Sequence, residues 1–410
     1  MGNAMARRIS APVTPAAMRW ARESAGYTRA GAAAKLKHPE SVIEAWETGK
    51  AKPSLAQAKT AARIYRYPLN VLYLKEIPES FPEIPDLRSS QKSRYVGPES
   101  WSPNLRWLIR QGYDRQATAR ELLMAEGAEN LDWVGSEEAM AKRPKELASQ
   151  IRNSLNVPIE DQFGWKNVRT AFLEWIDRIE ANGVFVHQSN HHQAYRIETA
   201  EMRGLALADN IAPFIILNNY GAPAGKIFTL MHELAHLWIG KPGISGDVLF
   251  RNAKTNQEQI ELYCNRVATE ILIPDSEYKK AKGSAESGIT EEWIAKNARK
   301  FKVSKDAMAC RAREQGDLSW KSYLEFHTKF EEEWRAEKFR QAQKEGGGAD
   351  WPQMDSQEAG RAFSRLAFGA YQSGELGILE VSNVLGVKIN RLPDLADKVG
   401  ATVTGMEKMK

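Results

Sequence analysis

A short motif at residues 232–236 constrains this chain more than any other feature. It reads His-Glu-Leu-Ala-His. Positions four apart lie on one face of an α-helix, so the imidazoles of His232 and His236 can reach a single cation. Glu233 projects to the side of that pair, where its carboxylate can reach a water in an open position of the metal. The surrounding residues favour a helix, because no Gly or Pro interrupts residues 227–239.

A second predicted helix supplies the third ligand that such a site needs. Residues 258–274 carry apolar side chains at helical spacing, and Glu261 and Asn265 share another face one turn apart. Glu261 could offer a carboxylate to the metal, and Asn265 an amide to a His ring. Two His and one Glu, completed by water, are typical of a catalytic zinc site rather than a closed structural one. The alternative is an amphipathic helix whose histidines are satisfied at the edge of the core.

The two segments together resemble the ImmA/IrrE family of bacterial zinc peptidases. One match is Phe-Thr-Leu-x-His-Glu-Leu-Ala-His-Leu at 228–237. The other is Glu-x-x-small-Asn-x-x-Ala-x-Glu, continuing to Pro, at 261–274. Two upstream segments also resemble the family, at Arg203–Leu207 and Pro213–Asn218.

The resemblance implies a role for each residue of the two motifs. His232, His236 and Glu261 would bind Zn²⁺, and Glu233 would act as the general base. Cys264 stands where the family usually has Ala. We interpret Cys264 as a packing residue and not as a fourth ligand.

The predicted fold class is mostly α, with an α+β catalytic core flanked by helical N- and C-terminal domains. The core is a small zincin-like sheet beside the helix that carries the His-Glu-x-x-His motif. Strand candidates are residues 184–187, 204–207 and 214–218. In this plan the edge strand nearest the metal pairs with an extended substrate backbone. We assign that role to Ile215, Ile216, Leu217 and Asn218.

A loop between the first two strand candidates contains further polar side chains. Tyr195, His191 and His192 are candidates for stabilising the oxyanion of the reaction. The alternative is that they are surface residues of a mobile loop.

Composition indicates the compartment and the partners. Two cysteines in 410 residues exclude a disulfide framework and favour a reducing cytoplasm. We find no signal peptide and no apolar run long enough for a membrane span, so no membrane partner is expected. Residues 1–75 hold thirteen Lys or Arg against four acids, a net charge of +9, which leaves −4 for the rest of a chain of +5. This basic end favours DNA or single-stranded nucleic acid as a partner.

The N-terminal segment resembles an Xre-type helix-turn-helix domain over most of residues 13–75. Its third helix, residues 39–47, would enter the major groove. That helix contains three acids and no Lys or Arg, although acids repel phosphate. The alternatives for this domain are therefore a DNA partner and a protein partner.

We predict six segments along the chain. They are the helix-turn-helix domain at 13–75, a Pro-rich linker at 76–100, a helical connector at 101–142, the zinc peptidase domain at 143–282, a helical extension at 283–345, and a C-terminal helical domain resembling a helix-turn-helix at 346–410. The last could be a lid, a dimer contact or a second nucleic-acid module.

The resemblance implies a cytoplasmic bacterial zinc metallo-endopeptidase of the gluzincin-like type. Its substrate would be a partner protein, a helix-turn-helix transcriptional repressor, whose cleavage derepresses stress, mobile-element or phage-defence genes. One alternative is a DNA-binding transcriptional regulator with a non-catalytic zinc site. Another is an interaction scaffold that has lost activity. Glu233 favours the enzyme, because a closed structural site has no use for a base.

Overall fold

The computed structural model describes most of the chain and divides it into two compact units. The described residues are 9–77, 100–136, 138–189, 195–241, 243–245, 255–283, 288–344 and 350–403. The first unit comprises residues 1–83 and 94–111, and the second comprises residues 84–93 and 112–410. Helices predominate, with one small mixed sheet, which confirms the predicted fold class.

The first unit begins with four short helices and a 3-10 turn. They are α1 (Pro15–Ser24), α2 (Arg29–Leu36), α3 (Glu40–Glu47), α4 (Leu55–Tyr65) and the turn Leu69–Tyr73. Side-chain caps set two of the helix starts: Thr28 accepts from the amide of Gly31, and Ser54 and Gln57 form a capping box. Trp46 is buried in the core of this unit.

The remaining helices follow the chain from residue 103 to residue 399. They are α5 (Pro103–Ala125), α6 (Pro144–Ser154), α7 (Ile159–Gly164), α8 (Val168–Glu180), α9 (Pro223–Trp238), α10 (Asn256–Leu272), α11 (Asp275–Lys282), α12 (Glu291–Phe301), α13 (Lys305–Glu314), α14 (Trp320–Lys344), α15 (Trp351–Ala359), α16 (Arg361–Ser373), α17 (Ile378–Leu385) and α18 (Leu392–Val399). None of the helices in the described ranges combines the length and apolar character needed to cross a bilayer.

The sheet of the second unit contains four strands in the order β1-β3-β2-β4. The strands are β1 (Phe185–Gln188), β2 (Gly204–Leu207), β3 (Phe214–Leu217) and β4 (Gly243–Ser245). β1 pairs parallel with β3, whereas β2 is antiparallel to both β3 and β4. The first three lie where the sequence predicts strands, and β4 is a finding of the structure.

The predicted edge strand is wrong, because β3 lies inside the sheet. It pairs with β1 on one side and with β2 on the other. A continuous apolar run such as Ile215–Leu217 is typical of a strand covered on both faces and flanked by neighbours, which is the position that β3 has. Asn218 is buried and its side chain donates to the carbonyls of Ile197 and Met202, at 3.0 and 2.8 Å.

One hydrophobic core joins the helices around the sheet of the second unit. It runs from Ala139 to Phe330 and includes Leu230 and Leu234 of α9. α12, α13 and α14 contribute to it, so helices beyond residue 282 pack into the same core as the metal-bearing helices. The three segment boundaries that we predict inside this unit, after residues 142, 282 and 345, stay a prediction.

Candidate metal centre

α9 and α10 position the side chains of the motif. α9 begins with Pro223 at its first turn, a position where the missing amide proton of proline costs nothing. α10 begins at a capping box formed by Thr255 and Glu258. The two helices pack on each other through the common core, so that Glu261 of α10 faces the histidines of α9.

Three side chains converge where α9 and α10 face each other. Nε2 of His232 and Nε2 of His236 lie 3.0 Å apart. The two Glu261 oxygens lie 3.3 Å from the Nε2 of His232 and 3.0 Å from the Nε2 of His236. All three side chains are at least 95% buried. In the described part of the chain, this is the one group of three or more His, Cys, Asp or Glu able to hold a metal ion, with ligand atoms within 4.8 Å of one another.

This donor set fits a metal ion. Ligand atoms on a tetrahedral zinc, with bonds of 2.0–2.1 Å, stand about 3.3 Å apart, close to the spacing of these three side chains. Nδ1 of His236 lies 2.9 Å from the carbonyl oxygen of Lys241. A carbonyl only accepts, so Nδ1 of His236 carries the proton and its Nε2 faces the cluster, as in metal-binding histidines.

The electrostatics of the cluster favour positive charge. Burial opposes protonation of His236, but Cys264 and Glu261 outweigh it and raise the pKa of His236 to about 10. Burial raises the pKa of Glu261, but His232 and His236 outweigh it and lower that pKa to about 2. The carboxylate of Glu261 therefore stays ionised and can act as an anionic ligand.

Glu233 lies beside the cluster but outside the ligand group. Its side chain is fully buried. On β2, a Cβ built at Gly204 would overlap Oε1 of Glu233 and stand 2.7 Å from Cγ2 of Thr229. Only glycine at this position lets the strand approach Glu233 so closely. The strand nearest to Glu233 is thus β2 and not β3.

Two further residues of α10, Asn265 and Cys264, lie close to the histidines. Burial lowers the pKa of His232, but the carboxylates of Glu261 and Glu233 and the side chain of Asn265 outweigh it and raise that pKa. Asn265 therefore lies close to His232, although the buried Nδ1 of His232 makes no hydrogen bond to the described residues. Cys264 is buried and interacts with His236, while it lies outside the group of three ligand atoms.

The far end of α10 is held by a buried guanidinium. Nη2 of Arg311, on α13, lies 2.7 Å from Oε1 of Glu270 and 3.8 Å from Oδ1 of Asp275. Arg311 is 2% exposed. A buried guanidinium paired with an acid of α10 restrains the orientation of that helix, which also presents Glu261.

Comparison with known families places this centre inside a recognised domain. Residues 185–313 match the family model described as the IrrE N-terminal-like domain, a metallopeptidase family. The centre lies inside the stretch that matches this family model. A search of curated proteins gave no match to this chain. The matched stretch includes β1 to β4, α9 to α12 and all but the last residue of α13.

The N-terminal part of the chain matches a second family. Residues 18–72 match the family model for a helix-turn-helix. The chain thus has the architecture of ImmA/IrrE proteins with an N-terminal helix-turn-helix domain, and this resemblance is confirmed.

The helix-turn-helix domain places the acids of α3 in two different environments. Glu47 is buried and pairs with Arg22, with Nε to Oε1 at 2.5 Å and Nη2 to Oε2 at 3.0 Å. Glu40 and Glu44 are exposed, and Trp46 is buried. The exposed face of the predicted recognition helix therefore carries two acids, not three.

The other predicted site residues fall in different places. Tyr195 is 37% exposed, and His191 and His192 lie outside the described residues. The oxyanion assignment for all three stays a prediction. Sequence reasoning missed the close approach of Gly204 and the carbonyl of Lys241. The segment Arg203–Leu207 resembled the family, which marked the strand but not the contact.

Proposed function

We propose that this protein is a zinc-dependent endopeptidase in which His232, His236 and Glu261 bind the metal. The observation that carries the proposal is the convergence of three buried ligand atoms beside a fourth buried side chain, Glu233, that is not one of them. The match of residues 185–313 to a metallopeptidase family supports it. A closed structural site would use four protein ligands and would not need a carboxylate beside them.

The reaction is the attack of water on a peptide carbonyl. A zinc ion at the three ligands would supply a Lewis acid, polarising the scissile carbonyl and making water more acidic. Glu233 accepts a proton from the attacking water as the oxygen bonds to the carbonyl carbon. It then delivers this proton to the leaving amine as the carbon–nitrogen bond breaks. The products are a carboxylic acid and an amine.

Other residues hold this base and these ligands in place. Gly204 of β2 packs against Glu233 and restricts where its carboxylate can lie. The Lys241 carbonyl orients His236, and Asn265, which lies close to His232, would support that ring in the same way. Such supporting hydrogen bonds fix the direction of a ligand lone pair and increase metal affinity.

The substrate that we propose is a helix-turn-helix transcriptional repressor. The support is the architecture, in which a peptidase domain and a helix-turn-helix domain occur in one chain. Cleavage of the repressor would derepress stress, mobile-element or phage-defence genes. Basic residues of the N-terminal 75 would bind duplex or single-stranded DNA, with Glu40 and Glu44 weakening contact by α3 itself.

The test compares wild type with Glu233→Gln. A helix-turn-helix repressor from the same genomic neighbourhood is co-expressed with each, and an immunoblot follows its shortened product. Glutamine keeps the size of the side chain but cannot take up the proton, so cleavage should slow by roughly 10² to 10⁴-fold while the metal is retained. Equal cleavage by the two proteins would exclude Glu233 as the base. Control of the target genes without cleavage would favour a DNA-binding regulator with a non-catalytic zinc site.

A further inference from the structure

The sheet beside the metal centre has two outer strands, β1 and β4. C-terminal residues pack against β1: a Cβ at Gly360 would stand 2.8 Å from the carbonyl oxygen of Val186. At the other side, β4 pairs with the edge of β2. An extended peptide recognised by strand addition needs a sheet edge. In the described sheet, the edge of β2 that faces away from β3 is therefore already in use by the chain itself.

The course of β4 follows the functional side chains. It is preceded by Lys241, whose carbonyl oxygen accepts from Nδ1 of His236. Gly243 then pairs with Ala206, and Ser245 pairs with Gly204, the residue that packs on Glu233. β4 thus runs along β2 from the neighbourhood of one ligand to the strand position nearest the base.

The pairing of β4 is short, and one side chain anchors it. The strand has three residues, and Ile244 between them is fully buried opposite Leu205. Three residues make few ladder hydrogen bonds, so this pairing can be exchanged for a longer strand. A buried β-branched residue gives the pairing its register.

We propose that β4 is an internal competitor for the substrate, occupying the edge of β2 that an extended substrate segment must take. The substrate then pairs antiparallel with β2 and places an aliphatic side chain where Ile244 now lies. Cleavage requires β4 to leave this edge, so the chain restrains its own activity. The part that concerns cleavage rests on the proposed function, whereas the exchange of strands does not.

Binding of a strand can be measured without cleavage. The probe is a fluorescein-labelled peptide that copies residues 241–247, Lys-Pro-Gly-Ile-Ser-Gly-Asp. Fluorescence anisotropy reports its binding to proteins that all carry Glu233→Gln, so that the probe stays intact. Adding Ile244→Asn removes the buried apolar anchor of β4 and should strengthen probe binding about tenfold or more. The matched control, Ile244→Val, keeps the branched apolar side chain and should bind the probe as weakly as the parent.

A cross-link tests the same idea from the opposite direction. Ala206 and Gly243 are directly opposed on the two strands, a spacing that a disulfide can bridge. Oxidised Ala206→Cys/Gly243→Cys should bind the probe at least tenfold more weakly than the same protein after reduction. The single variant Ala206→Cys should not respond to reductant. Melting temperature and metal content show whether Ile244→Asn folds. If it does not, the cross-linked double variant still tests the proposal.

The outcomes separate the two proposals. The competitor role of β4 would be overturned if the parent, Ile244→Asn and both redox states of the double variant bound the probe equally. It would also be overturned if none of these proteins bound the probe. With Glu233 intact, reduction of the cross-linked protein should restore repressor cleavage. If the probe affinities differ as expected but wild type does not cleave the repressor, the strand exchange is supported and the proposed peptidase function is contradicted.

Discussion

Gly204 of β2 lies directly against the Glu233 carboxylate of α9, so closely that a side chain at position 204 would displace that carboxylate. A Cβ at position 204 would overlap Oε1 of Glu233 and stand 2.8 Å from its Cδ. The contact joins β2 of the sheet to the side chain that would move the proton. A shift of either one therefore shifts the other.

Gly204→Ala should lower peptidase activity about ten- to a hundredfold with little loss of metal. The added methyl group displaces the Glu233 carboxylate, and small misplacements of a catalytic group carry such costs. Gly225→Ala is the matched control on α9, because nothing lies within 4 Å of a Cβ there. Cleavage rates and metal content are measured for both proteins. Full activity in Gly204→Ala would show that the position of Glu233 does not limit the reaction.

Glu261→Ala and His236→Ala should each lose most of the bound metal. Removing one of three protein ligands removes much of the coordination energy, and Glu261 also supplies the negative charge of the cluster. Elemental analysis of the desalted proteins gives the metal per chain and its identity. Gln259→Ala, on the same helix as Glu261 but outside the ligand group, is the control and should match wild type. Unchanged metal in both ligand variants would exclude this site.

Glu180 should make the second unit less stable as the pH rises. Burial raises the pKa of Glu180 from 4.5 to about 7, with the amide of Ala362 and nearby arginines opposing the shift. When folding raises the pKa of an acid, the free energy of unfolding falls as the pH rises from the pKa in the unfolded state to the pKa in the folded state. For Glu180 this range is about pH 4.5 to 7. The shift of about 2.5 units, at 1.36 kcal/mol per unit, sets an upper limit of about 3 kcal/mol.

Glu180→Gln tests this pH dependence. Glutamine can still accept from the amide of Ala362 but carries no charge, so the variant should be more stable than wild type at pH 8 by about 1–3 kcal/mol. At pH 4.5 the difference should largely vanish. Thermal melts at both pH values are compared with those of Glu174→Gln, a change at a partly exposed position of the same helix α8. A constant difference across this range would show that the ionisation of Glu180 is not responsible.

DNA binding should depend on exposed lysines that follow α3 and should weaken steeply with salt. Lys50 and Lys52 are exposed beside the predicted recognition helix. Lys50→Ala/Lys52→Ala should reduce duplex affinity and lower the slope of log affinity against log salt by about one for each phosphate that is no longer neutralised. Glu44→Gln removes an exposed acid from α3 and should strengthen binding. If neither change alters the affinity, this face does not contact DNA, and a protein partner becomes the better candidate.

The sequence by itself determined the residues of the centre. Spacing of four on a helix brings His232 and His236 onto one face, whatever the rest of the chain does. The apolar stripe of residues 258–274 likewise left Glu261 and Asn265 on a common face. Both patterns are local, so they can be seen without a fold. The same holds for the helix-turn-helix domain, whose caps and short helices follow from neighbouring residues.

Tertiary structure decided which strand borders the centre and what covers it. An apolar run shows that a strand is buried but not how many neighbouring strands pair with it. The sequence therefore could not distinguish an edge strand from an internal one at Ile215–Asn218. Only the order β1-β3-β2-β4 reveals that β2 lies nearest to Glu233. β4 has three residues and too little pattern to be seen in sequence, because its pairing with β2 depends on a partner nearly forty residues away in the chain. Strand pairing is a long-range property, and helix spacing is not.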